Sequence, residues 1–285
     1  MNPAGHGCAS AASQPAKRRN SSHLLCAGLL LLGLNDPARA AETALSYPEI
    51  LLEDTRHVLS APARWQESEW KDMGLAALGI VGVGALLDRP VRDEMRRHAP
   101  NESRFMLEVE RFGKEYSLML LGGYYLAGVL EEDEKTQTVA QDGLSAIIIS
   151  SGIITPALKY VTGRSRPRDK AGIVDFHWLS KGYPSSNSSF PSGHATHAFA
   201  LAAVFSNHYD QTWVTWSSYT LASLVGVARS YHGAHFTSDI LAGALIGTLV
   251  GKSVAAHNKQ LRAGTTALLP EIVPGRVGVR LVSRF

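Results

Sequence analysis

Cysteine is almost missing from this chain. Of its 285 residues two are cysteine, Cys8 and Cys26, and both fall in the first forty. A mature chain beginning near Ala41 carries no thiol, which excludes a disulfide framework, a cysteine nucleophile and a cysteine-bound metal. Net charge is scarce as well, at +3, so the global balance says nothing about a partner. Basic residues gather once, at Lys159, Arg164, Arg166, Arg168 and Lys170. No aromatics interleave with them and no binding module surrounds them, which argues against nucleic acid and leaves a solvated loop or an anion site. Long uncharged runs are missing too: most apolar interiors fall short of the ~18–20 residues that a membrane span needs.

What is present is helical patterning in one domain with no break in composition. Residues 1–40 read as an export signal. Lys17, Arg18 and Arg19 precede the apolar run Leu24 to Leu34, and Ala38-Arg39-Ala40 offers a small-x-small cleavage site. Residues 41–72 form an amphipathic segment, with a short helix, a break at Pro62 and a loop. Residues 73–258 carry six apolar segments, at about 73–87, 116–130, 143–160, 193–208, 213–228 and 239–255, with Pro156 predicting a kink in the third. This predicts an all-α fold with a six-helix core. In the tail, 259–285, Val277, Val279, Leu281, Ser283 and Phe285 alternate with other residues and suggest a short terminal strand. If all six segments spanned a membrane, the charged loop after the third would face the cytoplasm. That placement conflicts with an exported enzyme, so the reading here is a soluble or surface-bound bundle in the periplasm or cell envelope.

Three motifs carry the chemistry: Lys159 followed by Arg166-Pro167, then Pro191-Ser192-Gly193-His194, then Arg229, His235 and Asp239. Lys159 and Arg229 end the third and fifth helices, Ser192 precedes the fourth, and Thr237 or Ser238 precedes the sixth. In an up-and-down bundle all of these lie at one end. Ser192 is a good N-cap, and the amides after it make a helix start suited to an anion. Lys159, Arg166 and Arg229 supply cations, two of them guanidinium forks that match phosphate oxygens. No carboxylate cluster for Mg²⁺ accompanies them, so no cofactor or metal is expected, and protein cations take that role. His235 lies four residues before Asp239, close enough for the carboxylate to hold one ring nitrogen and leave the other to attack. His194 can protonate the departing oxygen.

The segments KYVTGRSRP at 159–167, PSGH at 191–194 and RSYHGAHFTSD at 229–239 resemble the type 2 phosphatidic acid phosphatase and vanadium haloperoxidase superfamily, in order and spacing. The resemblance covers about 140–255. It implies an all-α bundle, a covalent phosphohistidine at His235 with Asp239 as partner, and His194 as general acid. It also implies that Lys159, Arg166, Ser192, Gly193 and Arg229 hold the phosphoryl group of a phosphorylated lipid or small phosphoester. Ala228 stands where the family usually has serine. Two other functions compete: vanadate-dependent haloperoxidase chemistry in the same pocket, and a non-catalytic envelope bundle. A metal held by His194 and His197, or by His232 and His235, is a further alternative of low weight. The stretch from Asp169 to Phe190 is too long for a connector and reads as the wall that selects substrate.

Overall fold

The computed structural model describes residues 46–98, 103–169, 172–179, 187–264, 266–273 and 276–283. The proposed export signal lies outside the described residues, as does the middle of the 169–190 stretch. The helices are α1 (Tyr47–Arg64), α2 (Glu67–His98), α3 (Arg104–Arg111), α4 (Glu115–Leu130), α5 (Glu134–Ile147), α6 (Thr155–Thr162), α7 (Gly193–His208), α8 (Thr212–Tyr231) and α9 (Thr237–Gly264). A π-helical run, Ile148–Ile154, joins α5 to α6. It absorbs the missing N–H of Pro156, so the expected kink takes the form of a widened helix.

The fold is all-α in its core. The C-terminal tail goes further than a single strand: β1 (Thr266–Val273) and β2 (Arg276–Ser283) pair antiparallel, with Thr266 opposite Ser283 and Val273 opposite Arg276. β1 escaped the sequence reading because Ala267-Leu268-Leu269-Pro270 has no alternation and contains a proline.

Helix length is the main correction. Among the described residues three helical stretches are long and apolar enough to cross a membrane: Glu67–Arg97, Glu134–Thr162 and Thr237–Arg262. The expectation of spans that are too short ended the first segment at Asp88-Arg89-Pro90 and began the third at 143, yet α2 runs through those residues to His98 and α5 starts at Glu134, directly after the acidic turn. Only 6% of the apolar window of α2 is buried inside the protein. Leu75, Leu78, Val81 and Leu86 stand on its exposed surface. A continuous apolar face that the protein does not cover belongs against lipid, so this is a membrane-associated bundle.

What positions the functional end is the contact between α7 and α9. Gly243, Gly247 and Gly251 recur every four residues on α9. A Cβ on them would stand 2.5, 2.2 and 2.4 Å from the carbonyl oxygens of Ser192, Thr196 and Ala200 on the α7 side. Only glycine permits that approach. The seam carries Ser192 to the start of α9, where its amide donates to the Asp239 carbonyl at 2.9 Å.

Candidate active site

The four helix ends predicted to meet do so at one end of the bundle: the end of α6, the start of α7, the end of α8 and the start of α9. Lys159, in the last turn of α6, donates to the Ser188 carbonyl, and its Cε lies 4.0 Å from where a Cβ on Gly193 would be. Ser192 caps α7, its hydroxyl accepting from the Ala195 amide at 3.5 Å. Arg166 donates to the Ser188 hydroxyl at 3.0 Å. Arg229, at the end of α8, is held by Glu110 of α3, which also takes His232 Nδ1 at 2.8 Å. The Nε atoms of Arg166 and Arg229 are buried and have no hydrogen-bond partner among the described residues. Two guanidinium groups, each with a buried donor to spare, suit a ligand rich in acceptor oxygens.

His235 is 3% exposed. Its Nδ1 lies 2.7 Å from the Ser189 carbonyl. A carbonyl only accepts, so Nδ1 carries the proton and Nε2 keeps its lone pair. Burial, and after it Lys159, Arg229, Arg166 and His194, hold this imidazole well below its ordinary pKa. It is therefore neutral at pH 7, which a nucleophile requires. Burial also pushes His194 down to about 2, with Arg229, His197, Lys114 and Lys159 adding to the effect. Arg166 is pulled down to about 10 by burial, then by Arg168 and Arg229. These mutual effects arise because the cations crowd one small volume.

Asp239 does not hold the imidazole directly, which corrects the sequence expectation. Its Oδ2 is 4.0 Å from His235 Nδ1. The carboxylate instead accepts from the Ser189 hydroxyl at 2.5 Å and the Phe236 amide at 2.8 Å. It thus fixes both the segment whose carbonyl orients His235 and the turn that carries His235. Its charge is met by Arg164, 4% exposed, which donates to Asp239 at 2.5 Å and to Asp88 at 2.8 Å. Asp88 in turn accepts from the Ser238 amide at 2.9 Å and hydroxyl at 2.6 Å, closing the start of α9. The Arg164 guanidinium also lies 4.2 Å from the Phe236 ring centroid.

Sequence reasoning placed Arg164 only within the basic cluster and passed over Asp88, Ser189 and Glu110. Asp88 left a trace, an acid directly after the apolar Leu86-Leu87 pair on a helix. The other weighed readings resolve simply. His197 is buried with Nε2 2.7 Å from the Ser117 hydroxyl. His208 ends α7 and meets Asp142 at 2.8 Å. In the described part of the 169–190 stretch, Phe176 stacks on Trp178 at 5.4 Å, and Arg164 and Phe176 form a bridge that ties this stretch beside the site.

Comparison with known proteins places this arrangement. A family model described as the PAP2 superfamily matches residues 143–262. The Lipid A 1-phosphatase of Porphyromonas gingivalis is 36% identical over 103 residues, which are 35% of this chain and 20% of that protein. The Lipid A 4'-phosphatase of the same organism is 30% identical over 111 residues, 39% of this chain and 47% of that protein. The Lipid A 1-phosphatase of Rhizobium johnstonii is 32% identical over 198 residues, 65% of this chain and 78% of that protein. The matched segments thus span less than half of the first two relatives and most of the third.

Proposed function

The chain belongs to the PAP2 superfamily, and we propose that it is a phosphatase of a phosphorylated envelope lipid, with lipid A as the first candidate, acting through a covalent phosphohistidine on His235. The observation that carries this reading is the buried neutral imidazole of His235, tautomer fixed by the Ser189 carbonyl, amid Lys159, Arg166, Arg229 and His194. The apolar surface of α2 favours a substrate delivered from a membrane. Residues 1–40 act in this reading as the export signal, which assigns the chain to the cell envelope.

In the first step His235 Nε2 attacks phosphorus, the P–O bond to the lipid hydroxyl breaks, and His194 gives that oxygen its proton. Water then attacks the phosphohistidine, its proton passes to His194, the P–N bond breaks and inorganic phosphate leaves. Lys159, Arg166, Arg229 and the amides at the start of α7 stabilise the equatorial oxygens. A low pKa for His194 fits this order of events, because a phosphoryl dianion among the same cations brings negative charge beside the imidazole and raises it. The proton is then gained as substrate binds.

Two outcomes test the reading. Phosphate release, assayed with purified full-length protein in detergent against lipid A, phosphatidate and an isoprenoid diphosphate, is expected to be blocked by vanadate and to survive EDTA. Loss of activity in EDTA, restored by Zn²⁺ or Mg²⁺, would count against protein cations doing the work. His194→Ala is expected to cost about 10²–10⁴-fold with a lipid alcohol as leaving group and far less with p-nitrophenyl phosphate, whose leaving group needs no proton. Equal losses on both substrates remove His194 from the proton transfer.

A further inference from the structure

Beside the catalytic centre lies a second basic cavity, of about 280 Å³, between α2, the Pro167–Arg168 turn and the α8–α9 turn. His235 forms part of its wall, but Lys159, Ser192, Gly193 and His194 do not. It shares His235 with the catalytic centre and is otherwise lined by different residues. Its walls carry Arg92, Arg96, Arg168, His232 and Thr237.

The charges of these residues are unevenly spent. Arg92 is paired with Asp93 at 2.8 Å. Arg96 donates to the Pro167 carbonyl, and its charge also acts on Asp93, which Arg92 already pairs. Arg168 is half exposed, with Asp169 4.0 Å away. Asp88 reaches the wall, but its carboxylate is taken up by Arg164 and Ser238. His232 Nε2 and Thr237 Oγ1 are both buried with no hydrogen-bond partner among the described residues. The Arg168 amide donates to the Gly233 carbonyl at 2.9 Å, which ties two of the walls together. Such a cavity offers cations in excess and polar atoms that a structural role leaves unsatisfied.

We infer that this cavity is a second site for a phosphate-class oxyanion, distinct from the catalytic cradle. It takes either inorganic phosphate released from His235 or the phosphate of an anionic lipid headgroup. Its link to turnover rests on the phosphatase reading above, while the binding itself is measured without catalysis.

The test uses the purified full-length protein in detergent with one equivalent of vanadate, which fills the cradle. Equilibrium dialysis of radiolabelled inorganic phosphate is expected to show one further phosphate bound per chain. Arg168→Ala and Arg96→Gln are each expected to weaken that binding at least about tenfold while retaining the vanadate equivalent, which reports an intact fold. Displacement of the phosphate by phosphatidylglycerol micelles, with phosphatidylcholine inert, identifies the headgroup as the occupant. No displacement identifies free phosphate. The inference is overturned if the vanadate-loaded wild type binds no phosphate, or if both variants bind it as the wild type does. If vanadate fails to bind the wild type, the catalytic reading falls, and the phosphate affinities of the arginine variants still decide the second site.

Discussion

His235→Ala is expected to lower kcat for phosphate release by about 10⁴-fold or more, with KM changed little. The size follows from the role. Without Nε2 there is no covalent intermediate, and water must displace the lipid alcohol directly in a site built to orient a ring nitrogen. The cations remain, because Lys159, Arg166 and Arg229 are positioned by Ser188 and Glu110, none of which depends on the imidazole. Binding of substrate therefore persists while turnover stops. Steady-state phosphate release on the same lipid substrate reads both constants. A variant that retains a tenth of the wild-type kcat contradicts the assignment.

Arg164→Ala is expected to be the most damaging substitution outside the reacting groups. The side chains of Asp88 and Asp239 are fully buried, and Arg164 is the cation that joins them. Removing one partner of a buried ion pair leaves uncompensated charge and costs about 3–5 kcal/mol. Here one substitution strands two carboxylates, so the loss should sit at the upper end, lowering Tm by roughly 10 °C or more. Activity should fall further than stability explains, because Asp239 holds the Ser189 hydroxyl and the Phe236 amide on either side of His235. Arg164→Lys keeps a charge but loses the fork that spans both acids, and should fall between the two. Thermal unfolding in detergent reads the first effect, and kcat at a temperature where the variant is folded reads the second. A variant within 2 °C of wild type on the scale set by that cost would show that the two acids do not need the cation.

The six-helix core and the meeting of three motifs at one end could be read from helix order and polarity, since alternate helix ends in an up-and-down bundle must share a face. Helix extent could not. Asp88 looks like a terminator in the sequence because its neighbours Arg89 and Pro90 are charged and helix-breaking, but its carboxylate is satisfied by Ser238 and Arg164, 150 and 76 positions away. Pro90 itself sits inside a helix that continues to His98. The same blindness to distant partners hid Glu110, which lies 119 positions before the Arg229 it fixes. That Asp239 makes no direct hydrogen bond to His235 has a subtler reason. A spacing of four puts the carboxylate near the imidazole, but the Ser189 carbonyl lies nearer still. The glycines of α9 were visible as letters, and what they serve became visible only with α7 laid against them.

The central claim is a bond between phosphorus and one ring nitrogen. Rapid chemical quench with a ³²P-labelled lipid substrate, under alkaline conditions that preserve phosphoramidates, followed by mass spectrometry of the peptide carrying His235, tests it most directly. The account predicts a label on that histidine that forms and decays at rates consistent with kcat and is absent from His235→Ala. Full turnover with no labelled protein at any time, or a label on another residue, contradicts it.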